Sequence, residues 1–261
     1  MYSKDQKVME LQKEILVLLK KFHKICVNNN IKYTLHGGSM LGAVREGGFI
    51  PWDDDADIAL VRSEYTKLVK VFKENTDPEI YLDNYSDKMY KVWMQRKGKT
   101  KVWIDIFVYD YISSFKPAQK MKLWGIMLLT PFVKNEISMK QFRVNGRANK
   151  IQRIIYEAIY FVGKHFPLQR RIKLIEWFEK KMFLGDKSLI HRSNDQLFAI
   201  KMIIKSEYMT NYIEIEFEDT KLMVTKNYHE VLTSSYGSDY MIPRKVSDDE
   251  KKVHDIARND Y

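Results

Sequence analysis

The chain has 261 residues, 45% of them hydrophobic and 30% charged, which excludes a disordered or fibrous polymer and allows one large domain with a real core. Lysine and arginine outnumber aspartate and glutamate by 44 to 34, and the net charge of +10 suits anionic partners such as nucleotides, nucleic acid or an anionic membrane. The single cysteine, Cys26, excludes an intrachain disulfide and a cysteine-based metal centre; between Ile25 and Val27 it reads as a small buried hydrophobe.

The opening MYSKDQKVMELQKEILVLLKK lacks an uninterrupted apolar run and a small-residue cleavage site, so no secretory signal is expected. Apolar residues recur at helical spacing over 7–27 and predict an amphipathic helix, stopped by Asn28, Asn29 and Asn30. A short strand is expected over 31–36, running into Gly37-Gly38-Ser39. A helix follows over 39–45, and Glu46-Gly47-Gly48 turns the chain back. A second strand over 56–61 leads to a helix over 63–75 with Ser63 as its cap. Strand character returns at 81–82, 90–96 and 101–109, with a hairpin turn at Lys97-Gly98-Lys99. The alternation of helices and strands predicts an α/β fold.

After Lys116-Pro117 the composition changes to a helical pattern over 117–182, broken at Pro131 and Pro167, in which lysines and arginines alternate with large apolar residues. Ordinary core helices with solvated basic faces account for this pattern, and so does a surface resting on anionic lipid. Nucleic-acid binding is the weaker alternative, because no nucleic-acid motif is present. The most apolar run, 123–133, falls well short of the ~20 residues a membrane span needs. A strand over 212–217 and a helix over 226–236 ending near Gly237 complete the order, and the charged tail 247–261 is expected to be peripheral.

The chemistry concentrates in GGSMLGAVREGGFIPWDDDADIAL, residues 37–60. Asp53, Asp54, Asp55 and Asp57 stand next to Ile50, Trp52, Ile58 and Leu60, and buried carboxylates without partners are costly. Alternation along a strand allows Asp55 and Asp57 to project together, where a divalent cation would relieve their repulsion. Mg²⁺ is the best match, being hard and oxygen-seeking, with Mn²⁺ as a substitute. Asp105, in the apolar strand VWIDIFVYDY, is the natural third ligand, whereas Asp110 at its end reads as a cap or turn residue. Asp53 and Asp54 are either further ligands or supports that orient them. Gly37-Gly38-Ser39 before a helix offers amides and a hydroxyl to a phosphate, and Arg45 a charge-assisted contact. His36 is more readily a satisfied core or loop histidine than a phosphate contact, and the other histidines lack zinc spacing.

The series strand, GGS, helix, D-x-D on the next strand and Asp105 on a later one resembles the nucleotidyltransferase-fold superfamily. Within it, GGSMLGAVREGGFIPWDDDADI is similar to the LicD family, which includes fukutin-type proteins. WIDIF around Asp105 and, more loosely, NYHEVLTSSYGSDYMIP over 227–243 extend the resemblance. Departures are Ala56, Glu46-Gly47 and Val108-Tyr109; none removes a proposed ligand, and the last bears on the substrate pocket. The resemblance implies a nucleotidyltransferase-like mixed sheet flanked by helices: a catalytic core over 1–115, a basic helical insertion over 116–205 and a segment over 206–261 packing back on the core.

It further implies transfer of a phosphorylated group from a CDP-activated donor, best known for CDP-choline, to a sugar hydroxyl of a cell-surface glycan precursor such as teichoic acid, lipopolysaccharide or capsule. In that reading Asp55, Asp57 and Asp105 hold Mg²⁺ and Asp105 is the general base. Gly37, Gly38, Ser39 and Arg45 bind the donor, with Trp52 and Trp103 contacting substrate; Trp93 and Tyr109 are further candidates for an aromatic cage around a quaternary ammonium. The expected site of action is the cytoplasmic face of the membrane, on an acceptor that is lipid-linked or destined for the surface. A transferase using another CDP-activated donor (ethanolamine, ribitol or glycerol), a nucleotidyltransferase releasing pyrophosphate and a non-catalytic membrane-surface binding protein remain as alternatives.

Overall fold

The computed structural model describes residues 6–83, 89–144, 149–181, 185–195 and 199–243. The tail assigned a peripheral role lies outside them. Helix α1 (Gln6–Asn28) buries its Ile15, Leu18, Leu19, Phe22 and Cys26 stripe in the core, as its apolar spacing dictates. Strand β1 (Thr34–Leu35) is shorter than its sequence suggests, because His36 already takes the extended N-cap position of α2 (Gly37–Glu46). That helix ends at Gly47 in the left-handed conformation.

Strand β2 (Asp57–Val61) passes directly into α3 (Arg62–Glu74). Val61 is the N-cap residue and makes no side-chain cap bond, so Ser63 lies inside the first turn instead of capping it. The meander β3 (Ile80–Asp83), β4 (Tyr90–Met94) and β5 (Val102–Ile112) follows; the amide of Lys99 closes the expected turn onto the Arg96 carbonyl at 3.1 Å. Four helices come next: α4 (Lys116–Val133), α5 (Glu136–Val144), α6 (Lys150–Gly163) and α7 (Leu168–Lys181). Pro131 sits in the last turn of α4, and Pro167 immediately precedes α7.

The main sheet has seven strands in the order β1-β2-β5-β4-β3, with β6 (Leu189–Arg192) beside β5 beyond the end of β4, and β7 (Ile203–Lys205) beside β6. These two strands come from the range 116–205, whose composition reads as basic and helical. The β2–β5 pair is parallel and the remaining pairs are antiparallel, giving a mixed sheet flanked by helices. A separate hairpin, β8 (Tyr212–Phe217) and β9 (Thr220–Thr225), is pinned to β1 by the Thr225 amide on Thr34 Oγ1 at 2.9 Å. Helix α8 (Tyr228–Tyr236) ends at Gly237, as expected from the sequence.

β5 is the organising strand. Its even-numbered residues from Val102 to Val108 are buried in the core, and the same face carries Asp110. Asp110 therefore lies within the strand and not at a cap or turn. Arg62 grips it through Nε at 3.0 and 3.1 Å and Nη2 at 2.5 Å, and reaches Glu179 of α7 at 3.1 Å. Lys122 of α4, almost fully buried, donates to the carbonyls of Tyr111 at 2.5 Å and Glu179 at 2.6 Å. This polar cluster fastens α4 and α7 to the sheet, each charge having a partner where an unpaired one would be expensive.

Candidate active site

The opposite face of β5 carries Trp103, Asp105, Phe107 and Tyr109. The parallel register puts Asp57 directly beside Asp105, and the Asp105 amide bonds to the Ala56 carbonyl at 2.9 Å. Carboxylate oxygens of Asp55, Asp57 and Asp105 all lie within 4.8 Å of one another. The sequence separation between the two halves of the triad is thus closed by one strand pairing.

Burial and the neighbouring carboxylates Asp55, Asp105 and Asp53 hold the Asp57 carboxyl well above the usual range. Burial also raises Asp105, opposed by the nearby Lys91 charge and by the indole of Trp103, which donates to Oδ2 at 3.1 Å. Asp105 Oδ1 is buried without a hydrogen bond, with Lys91 Nζ at 3.6 Å. Three oxygen donors that repel each other, one of them carrying a buried oxygen with no hydrogen bond, fit a hard divalent cation. Asp53, Asp54 and Asp55 form a second group with the same mutual spacing.

The glycine turn belongs to the same place. Gly37 has φ +51°, and a Cβ there would stand 2.8 Å from Asp57 Oδ2; one on Gly38 would stand 2.7 Å from Asp53 Oδ2. Glycine is required because the carboxylates crowd the N-terminal turn of α2, the positive end of that helix. Ser39 Oγ is buried and accepts the Asp57 amide at 2.9 Å, so this hydroxyl fixes the start of the strand that carries Asp57.

Arg45 and Trp52 are placed differently. Arg45 lies in the last turn of α2, and its Nε pairs with Glu46 at 2.7 Å. Eight residues of helix, ~12 Å, separate it from Gly37. Trp52 sits in the turn before the aspartates, partly buried against the main core. Trp103 is brought to the site, its ring 5.0 Å from that of Trp93 and tilted to it by 47°; Lys91 lies 4.4 Å from the Trp103 ring centre and Lys101 4.0 Å from that of Trp93. Tyr109 is buried beside His36, its hydroxyl pushed up to about 12 by burial. His36 is a buried core residue with one ring nitrogen partnered: its Nε2 accepts from Arg192 Nη1 at 2.8 Å while Nδ1 is buried without a hydrogen bond, and burial followed by the Arg192 charge keeps it neutral.

Sequence reasoning missed Arg192, Asp195, Lys91 and Tyr236. Arg192 of β6 pairs with Asp195 at 3.0 Å, and Asp195 is close enough to raise both Asp57 and Asp105. The hydroxyl of Tyr236, in α8, would stand 3.8 Å from a Cβ on Gly37, and burial and the aspartates push its ionisation up. Periodicity gives no signal for such residues, since tertiary folding alone brings them in. Lys91 could have been found as the cross-strand partner of Asp105 once the hairpin register was assumed.

The chain matches the model of the LicD/FKTN/FKRP nucleotidyltransferase domain over residues 30–126, a span that includes the whole triad. It is 30% identical over 263 aligned positions, 95% of each chain, to a Haemophilus influenzae protein named lipopolysaccharide cholinephosphotransferase LicD. An uncharacterised protein of Rickettsia typhi is 40% identical over 127 residues, 44% of this chain and 41% of its own. Identity that runs through nearly the full length of the Haemophilus protein, together with the domain match over the aspartate site, makes this chain a member of the LicD family of transferases.

Proposed function

We propose that the protein transfers a phosphorylated small group, phosphocholine in the first instance, from a CDP-activated donor to a sugar hydroxyl of a surface glycan precursor. The observation that carries this reading is the Asp55, Asp57 and Asp105 triad at the N-terminal turn of α2, in a chain aligned end to end with a lipopolysaccharide cholinephosphotransferase. Mg²⁺ or Mn²⁺ bound by the triad would neutralise the donor diphosphate and the departing CMP.

The chain's own residues do the positioning. Gly37 and Gly38 admit a phosphate close to the amides of α2. Asp105, raised by burial and oriented by Trp103 and Lys91, takes the proton of the acceptor hydroxyl as its oxygen attacks phosphorus. A new P–O bond forms to the sugar, the P–O bond to CMP breaks, and the proton rests on Asp105. Trp93 and Trp103 already have the lysine ammonium groups against their faces, which supports a quaternary ammonium as the donor's head group.

Incubation with CDP-choline, CDP-ethanolamine, CDP-ribitol or CTP in Mg²⁺, with a glycan acceptor, tests the reading through the leaving group. CMP from CDP-choline supports it, CMP from another donor changes the head group, and pyrophosphate from CTP replaces it with nucleotidyl transfer.

A further inference from the structure

Residues 116–181 hold 15 lysines and arginines, four glutamates and no aspartate, so this stretch alone exceeds the net charge of +10 carried by the whole chain. The rest of the protein is close to neutral. Three of the four glutamates are engaged. Glu179 is fully buried against Arg62, Glu176 meets Tyr90 Oη at 2.9 Å and Lys180 at 3.5 Å, and Glu157 pairs with Arg143 at 2.6 Å.

Within this cationic stretch, α6 is built the wrong way round for a helix of a monomeric globular protein. Ile151, Ile154, Ile155, Ala158, Phe161 and Val162 recur at helical spacing and form its apolar stripe, yet all six are exposed, Ile151 by 70% and Ile154 by 63%. The other side of α6 packs inward through Tyr156 and Gly163, the latter against Phe132. Phe166 in the following turn and Trp177 on α7 are also more than half or about half exposed. Lys150, Lys164 and Lys173 stand beside these side chains and are exposed too. Contiguous exposed apolar surface in a folded protein marks an interaction site.

We propose that α6, with the turn leading into α7, is a membrane-docking surface that lies in the headgroup region of an anionic bilayer. The charge of the module selects the occupant. A second copy docked through the same face would oppose two strongly cationic modules, whereas anionic lipid neutralises one while taking up the apolar stripe. No described helix is long and apolar enough to cross a membrane, so α6 rests in the surface, with its apolar side chains inserted and its lysines among the headgroups. Membrane docking does not depend on which group the enzyme transfers.

Flotation of the full chain with vesicles of phosphatidylcholine, alone or containing about a third phosphatidylglycerol, tests this. The wild type is expected to float with the anionic vesicles, to remain behind with the neutral ones and to be released by about 0.5 M salt. The pair I154Q and F161Q should weaken flotation by about tenfold or more, and the pair K164E and K173E should do the same by removing the electrostatic part. Circular dichroism confirms that each variant is folded; if the glutamine pair is not, the charge-reversal pair decides. Absence of flotation, equal flotation with both vesicles, or binding untouched by a folded variant overturns the proposal. A concentration-dependent dimer abolished by I154Q and F161Q also overturns it, in favour of a second copy.

Discussion

Under the proposed function, Asp57 sets stability against function in one side chain. It is half-buried beside two other carboxylates, and desolvation together with their charge holds its carboxyl well above the usual range. A group raised in the folded state stabilises the fold below its unfolded value of 3.8 and ceases to do so as pH rises through the folded value. At neutral pH without metal, Asp57 therefore works against folding. Asp57→Asn is expected to raise the melting temperature in EDTA at pH 7 by about 2–4 °C while lowering transfer about a hundredfold or more. Differential scanning fluorimetry and product analysis on one preparation read both; a lower melting temperature would refute the electrostatic account. Gly38 makes the same point sterically, since a methyl there meets Asp53 Oδ2 at 2.7 Å. Gly38→Ala should displace the aspartate loop and reduce divalent-cation affinity about tenfold or more by calorimetry, whereas unchanged affinity would detach this turn from the metal site.

Among the elements, β5 does two jobs on its two faces. Asp105 looks toward β2 and the site, and Asp110, five residues on, looks toward α7 and Arg62. Burial pushes the Asp110 carboxyl up, but Arg62, Lys122 and Ser193 together outweigh it and hold the group down to about 2, against 3.8 when unfolded. A depressed carboxyl contributes its stability above the unfolded value and loses it as pH falls toward the folded one, so acid should loosen the helical module between about pH 4 and 2. Asp110→Asn leaves the Arg62 charge without its bidentate partner and should cost about 3–5 kcal/mol in urea unfolding, while flattening that acid transition. A loss well under 1 kcal/mol would mean that the cluster does not anchor α4 and α7. The sequence made Asp105 legible because a carboxylate inside an apolar alternating run has few uses. It hid Asp110 because residues 62, 179 and 193, all far away in the chain, decide that side chain's fate. Arg45 stands at the opposite end of α2 from Gly37, since nearness in sequence does not survive the length of a helix.

Across the whole molecule, charge and chemistry occupy separate parts of the chain. The acidic site is assembled from 53–57 and 105, and the cationic surplus lies in 116–181. Strand order, the glycine turn and the aspartates were legible because local rules govern them. The contributions of β6 and α8 were not, since Arg192, Asp195 and Tyr236 reach the site through long-range packing. The separation predicts that catalysis and docking can be damaged independently, with I154Q and F161Q sparing CMP release to a soluble acceptor. The most direct test of the central claim is product analysis by ³¹P NMR with CDP-choline, Mg²⁺ and a lipopolysaccharide acceptor. The account predicts CMP formed in step with phosphocholine on the glycan, abolished by EDTA and by Asp57→Asn or Asp105→Asn; transfer that persists in those folded variants would contradict it.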